Sequence, residues 1–231
     1  MSRKVRDTKK NFKVFCEGDT EFNYLDEMRR KSKFSITLKP INMKGGGYSN
    51  FLDILKTDGR ANCLAKFIIV DGDRAINQVG EKKNLQELIN YCILQNQCRR
   101  TPHILIINYP DFEYIGCLHT PQYRGQDVEQ YIISKLKYKS IDQFKADNRI
   151  YSVLNTKGNS SEHMLLSLNN KNCFVINKYA VIKSLYTIKV DTTYDWNKLG
   201  IRGSNINEYF EILNYFNSPV NSSHDKKTDN L

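Results

Sequence analysis

The chain has 231 residues, 40% of them hydrophobic and 11% aromatic, and 35 Lys plus Arg against 25 Asp plus Glu give a formal charge of +10. This length suits one large domain, or one domain with an appendage, and no run approaches the roughly 18 apolar residues of a membrane span. The basic excess favours a polyanionic partner, nucleic acid before an anionic membrane surface, while six scattered cysteines without a C-x-x-C pair read as buried thiols of a cytoplasmic protein, not a zinc site or a disulfide framework.

Residues 1–13 carry Arg3, Lys4, Arg6, Lys9, Lys10 and Lys13 against Asp7 alone. They read as a basic arm that either touches phosphates without reading sequence or simply aids solubility. No apolar h-region follows, so no secretory signal is expected. Phe12 to Cys16 predicts the first strand, which ends at Glu17-Gly18-Asp19-Thr20-Glu21. Thr20 is suited to N-cap a helix running to about Arg30, with Phe22, Leu25 and Met28 on one face. Glu17 therefore stands at a strand's carboxyl end, although Glu17 and Asp19 also suit a helix N-terminus on electrostatic grounds alone.

Phe34 to Ile41 alternates and predicts a second strand, nearer an edge. Lys44-Gly45-Gly46-Gly47-Tyr48-Ser49-Asn50 then feeds a helical pattern at Phe51, Ile54 and Leu55. This loop fits neither a P-loop nor a G-x-G-x-x-G fingerprint. It reads first as a turn, and only second as an anion contact through Lys44.

Lys66-Phe67-Ile68-Ile69-Val70-Asp71-Gly72-Asp73 is the central stretch. An unbroken apolar run closed by a turn signal predicts a strand buried on both faces. In an extended backbone Asp71 and Asp73 would leave the same face. Two such carboxylates repel each other unless a cation lies between them, and a hard divalent ion such as Mg²⁺ is the economical occupant. The plainer alternative is an acidic turn at a strand end.

Arg74 to Lys83 predicts a polar loop, and Leu85, Leu88, Ile89, Cys92 and Ile93 a helix. His103 to Asn108 predicts a fourth strand, stopped by Tyr109-Pro110-Asp111-Phe112-Glu113, with a helix-like run to His119. Strands alternating with helices imply an α/β domain over 14–119 with a parallel sheet. His119, lone behind an apolar helix, reads first as a packed core residue. Residues 120–216 are expected to be mainly helical, through Val128 to Leu136, Ile141 to Leu154, part of Leu165 to Ile188, and Ile206 to Phe216. A polar tail over 217–231 is expected to be disordered.

Glu17, Asp71 and Asp73 thus share one predicted sheet edge. This glutamate-then-D-x-D order resembles the Toprim domain of topoisomerases, primases and nucleases. Phe15-Cys16-Glu17-Gly18-Asp19-Thr20-Glu21 with Tyr24 resembles the opening motif of the RloB-like family. Asn108 to His119 resembles that family's S-N-P-x-F-E motif, with Pro110, Phe112, Glu113, Leu118 and His119 matching and Tyr109, Ile115 and Gly116 departing. The likeness covers about the first half of the chain. It implies a Toprim-like sheet and a Mg²⁺-dependent nuclease (Mn²⁺ substituting) acting on DNA or RNA, transfer RNA included. It also implies an antiphage abortive-infection role beside an ABC/SMC-type ATPase of the RloA or AbiLi kind. Residue by residue, it implies that Asp71 and Asp73 hold the metal, that Glu17 either completes the metal site or serves as general base or acid, and that Glu113 is a further ligand or supports one, with Arg74 and Lys44 as candidates to stabilise transition-state charge.

Other classes fit less well. The chain is too short for a topoisomerase gate, and a bacterial primase would bring a zinc module. A haloacid-dehalogenase-type phosphohydrolase places D-x-D after the first strand with Thr or Val where Ala75 stands here. From a different class, a non-catalytic subunit of the ATPase complex with vestigial acids is the alternative.

Overall fold

The computed structural model describes residues 11–58, 63–98, 101–156, 158–168, 173–182 and 187–218. The basic arm through residue 10 and the tail from residue 219 lie outside the described residues. Lys13 belongs to the first strand instead of the arm, and its ammonium pairs with Asp58 at 2.6 Å.

Four strands, β1 (Asn11–Cys16), β2 (Thr37–Asn42), β3 (Ala65–Asp71) and β4 (His103–Tyr109), run parallel in the order β2-β1-β3-β4. A separate antiparallel hairpin comprises β5 (Val175–Ile182) and β6 (Thr187–Tyr194), and the short β7 (Gly203–Ser204) adds antiparallel to β4. The fold is α/β, with a mostly parallel sheet flanked by helices. As the alternation predicts, β2 is an edge strand.

Helices α1 (Asp19–Lys31), α2 (Gly47–Thr57), α3 (Asp73–Asn77), α4 (Val79–Gln97) and α5 (Phe112–Leu118) connect the strands or follow them. Period-2 alternation in the central strands divides the core between two faces. Val14, Cys16, Phe67, Ile69, Ile104 and Ile106 face α1 and α5, whereas Phe15, Ile68, Val70, Leu105 and Ile107 face α2 and α4. Burial on both faces explains why β3 and β4 read as uninterrupted apolar runs.

The chain passes from β1 to β2 on one side and then to β3 on the other. This reversal opens a crevice between the carboxyl ends of β1 and β3, where open α/β sheets bind ligands. Glu17 and Asp71 stand at those two ends.

The second half departs from a mainly helical reading. Short helices α6 (Val128–Ser134), α7 (Ile141–Lys145), α8 (Ile150–Leu154) and α9 (Ser161–Ser167) come first, then the hairpin, then α10 (Asn207–Asn217). The predicted helix over Ile141 to Leu154 is two helices. Within Leu165 to Ile188 most of the described residues are strand, because short apolar runs do not reveal their period. Asn177 fixes the hairpin to the main sheet by donating through Nδ2 to the Leu105 carbonyl at 2.9 Å. Helix α10 packs its rings on the sheet, with Tyr209 against Phe67 at a 4.9 Å centroid distance.

Arg74 to Lys83 is also helical, covering α3 and the start of α4. Val79 at the start of α4 is 92% exposed, so no apolar periodicity marks that turn.

Candidate functional site

Glu17 follows β1 directly and is buried. Its Oε2 accepts the backbone N–H of Asp71 at 2.9 Å, and its Oε1 lies 3.5 Å from Arg74 Nε. Asp71 closes β3. Its backbone carbonyl accepts the Tyr48 hydroxyl at 2.5 Å, and its Oδ1 lies 3.4 Å from Asn108 Nδ2 on the neighbouring strand. Asn108 is in turn held by Ser204, whose Oγ donates to Asn108 Oδ1 at 2.7 Å. Two adjacent parallel strands and the antiparallel β7 thus converge on one carboxylate.

Asp73 is placed differently from the extended-strand expectation. The strand ends at Asp71, Gly72 adopts an αR conformation, and Asp73 opens α3, where its Oδ1 accepts its neighbour Arg74's N–H at 2.7 Å. The strand pleat therefore does not align the two aspartates. Neither forms an ion pair among the described residues.

Glu113 sits at the start of α5, as expected, and is buried. Its Oε1 accepts the Thr20 hydroxyl at 2.5 Å, and its Oε2 is 3.7 Å from Lys145 Nζ. Thr20 is thus not the N-cap of α1. Gly18 takes that position, and its N–H donates to Glu21 Oε2 at 3.2 Å. Lys44 is exposed, and among the described residues only its backbone N–H is engaged, by Asn42. Lys44, Gly45, Gly46 and Gly47 all have positive φ, which explains the glycine run: successive left-handed residues turn the chain back so that the N–H of Gly45 meets the Glu17 carbonyl at 2.8 Å.

Three neighbours escaped the sequence reading. Glu21 is buried, and among the described residues its Oε1 has no hydrogen-bond partner. Asp111 caps α5 by accepting the Tyr114 N–H at 2.9 Å. Lys145 arrives from α7, far along the chain. A carboxylate four residues past Glu17, or two before Glu113, could have been flagged by spacing. Lys145 carries no local signal.

The electrostatics follow from crowding. Burial, then Glu21, Glu17 and Glu113, push the Asp71 carboxyl well above its ordinary range. Burial raises Glu17 too, against the opposing Asp71 N–H and Arg74. Burial followed by Glu113 takes Glu21 up to about 8, and burial followed by Glu113 takes Asp111 to about 6. Lys145 is raised: burial opposes its charge, but Glu113, Asp111, Asp71 and Glu21 together outweigh it.

Among the described residues, no three Asp, Glu, His or Cys side chains are disposed to hold a metal ion as they stand. The acids ring the crevice without closing on a point. The donor chemistry nevertheless fits a hard divalent cation. It is all oxygen, it is partly desolvated, and it includes the unpartnered Glu21 Oε1, an orphan acceptor that is costly to bury.

His119 is a core residue. It is fully buried, with Nε2 2.9 Å from the Tyr24 hydroxyl and Nδ1 3.0 Å from the Ile115 carbonyl. All six cysteines are free. Among the described residues no helix is long and apolar enough to cross a membrane.

No family model, no curated protein and no solved structure matches the chain.

Proposed function

We propose that this chain is a Mg²⁺-dependent nuclease, a Toprim-like enzyme of the RloB-like kind, acting on DNA or RNA beside an ABC/SMC-type ATPase in antiphage abortive infection. The observation that carries the reading is the hydrogen bond between Glu17 and Asp71. Two acids 54 residues apart meet at the crevice where such sheets bind ligands, inside a rim of acids raised first by burial and then by one another.

Glu17, Asp71, Asp73 and Glu113 would hold the ion, with Glu21 and Asp111 beside them. A Mg²⁺ (or Mn²⁺) ion held by these residues would supply Lewis acidity, screening phosphate charge and lowering the pKa of an attacking water. The chain's own residues do the rest. Asn108 and Tyr48 fix Asp71 from either side. Glu17, raised by burial, is a candidate to accept a proton as well as to ligate. Arg74 and Lys145 border the rim and can meet charge that develops on phosphoryl oxygens.

The test is cleavage of labelled DNA, RNA and transfer RNA by wild type and Asp71→Asn, with and without Mg²⁺. Metal-dependent cutting lost in the variant supports the proposal. A second reading, a non-catalytic subunit of the ATPase complex, is favoured by one feature: Lys145 already serves as an internal counter-ion to Glu113. No cutting by the chain, alone or with the ATPase, together with no metal binding, would select it.

A further inference from the structure

The acids of the rim carry little internal compensation. Among the described residues Glu17, Glu21, Asp71, Asp73, Asp111 and Glu113 make only the ion pairs of Arg74 with Glu17, at 3.5 Å, and of Lys145 with Glu113, at 3.7 Å. Arg74 follows Asp73 directly in the chain, whereas Lys145 is brought in from α7. Its placement is built. Its backbone carbonyl accepts the Asn23 side-chain N–H of α1 at 2.9 Å. Its neighbour Phe144 is fully buried against Gly116 of α5, so closely that a Cβ there would lie 2.8 Å from the ring. Helix α1 carries Glu21 and α5 carries Glu113. The elements that present these acids therefore also fix the backbone from which the cation reaches them.

The ammonium itself is held loosely. A separation of 3.7 Å is within ion-pair range but too long for a hydrogen bond. The Lys145 side chain is 46% exposed and that of Glu113 only 4%, so the lysine can swing into water and the carboxylate cannot. Lys145 stands in the field of Glu113, Asp111, Asp71 and Glu21 together. A cleft of about 290 Å³ opens here, lined by Asp111, Glu113, Asp127 and Glu129 against Lys145 and Arg202. Its excess of carboxylates draws cations, and Lys145 is the cation already in contact with a proposed metal ligand. Glu21 Oε1, buried without a hydrogen-bond partner among the described residues, is an acceptor that the lysine leaves unsatisfied.

We propose that Lys145 is the resident cation of the acidic rim: it neutralises Glu113 in the metal-free chain, and a divalent ion loads by displacing it. The ammonium keeps its proton and moves into water, and its charge is exchanged for that of the ion. Lys145 thereby sets the concentration at which the rim fills. The inference rests on the metal-binding reading above.

The experiment is calorimetric titration of Mg²⁺, and separately of Mn²⁺, into the metal-free full chain, with melting temperatures recorded with and without saturating Mg²⁺. Lys145→Gln should bind Mg²⁺ about fivefold more tightly, the scale of an ion pair with one half-exposed partner. Lys145→Arg should keep the wild-type affinity, and Lys56→Gln on α2 should change nothing. Without metal Lys145→Gln should melt below wild type, and saturating Mg²⁺ should narrow the gap. A lysine with a structural role alone would lower both melting temperatures equally. If Lys145→Gln does not fold, Asn23→Ala carries the test: it releases the Lys145 backbone from α1 and should tighten binding by a smaller factor. A wild type that binds Mg²⁺, with the variant binding no more tightly, overturns the inference and leaves the metal-binding rim standing. Binding by neither chain overturns both. Binding by the variant alone supports the inference in its strongest form.

Discussion

The carboxylate of Glu17 accepts a hydrogen bond from the backbone N–H of Asp71 at 2.9 Å, joining the ends of two adjacent parallel strands. The Glu17 carboxylate is thereby tied to the backbone of a second acid at the same rim. Burial and neighbouring carboxylates raise Glu17, Glu21 and Asp71 together. A cluster that works against local stability is characteristic of a functional site, where optimising the fold and optimising activity conflict.

Asp71→Asn tests that conflict directly. The amide keeps an oxygen for Asn108 and removes the negative charge. In EDTA the variant should gain about 1 kcal/mol of stability by urea unfolding. Its cleavage rate in Mg²⁺ should fall at least 100-fold, the scale expected when a preorganised electrostatic group is lost. A destabilised variant would show that Asp71 is a structural acid.

Ser204→Ala removes the hydroxyl that satisfies Asn108 Oδ1 in a fully buried setting. An orphaned buried acceptor costs about 1–3 kcal/mol, read as a lowered urea midpoint. The loss should come with a smaller drop in cleavage than Asp71→Asn gives, because Asn108 acts on Asp71 only through its amide.

Gly116→Ala is informative through its sign. On an open helix the change stabilises by about 1 kcal/mol. Here a Cβ would sit 2.8 Å from Phe144 Cζ, with Phe144 fully buried beside Lys145. Overpacking should instead destabilise by about 1–3 kcal/mol, measured as a lowered melting temperature. The glycine that interrupts the apolar run of α5 is there to let α7 approach.

Much of the sheet was legible because its central strands are buried on both faces. Phe67 to Val70 and Ile104 to Ile107 contain nothing but apolar residues, and each ends in a polar residue at the strand's carboxyl edge. That pattern placed Glu17 and Asp71 on one rim. Asp73 was misplaced because the sequence does not show that the strand stops at Asp71 and a helix begins two residues later. Glu21 and Asp111 were passed over because acids near a helix N-terminus have a sufficient local explanation. Lys145 reaches the rim only through tertiary packing of α7. The β5–β6 hairpin was hidden because its turn signal is weak and its apolar runs are short.

Acid should weaken the fold through two buried histidines. Burial lowers His119 and His103 to about 4. The unfolded chain takes up these protons near pH 6.5 while the native state refuses them until about pH 4, so stability is lost as pH falls through that interval. Each histidine should account for about 2 kcal/mol between pH 7.5 and pH 5. The acidic rim acts in the opposite direction, because its raised carboxyls favour the native state as protons bind. The histidine share is therefore read as the difference in urea stability between wild type and His119→Gln across that range.

The central claim is that the rim of Glu17, Asp71, Asp73 and Glu113 binds a divalent cation, and a Mg²⁺ titration of the melting temperature tests it most directly. Wild type should show a saturable rise, equivalent to about 2.7 kcal/mol at a hundredfold excess over Kd, and Asp71→Asn should show none. Equal melting curves with and without Mg²⁺ and Mn²⁺ in the wild type, or an identical rise in the variant, would contradict it.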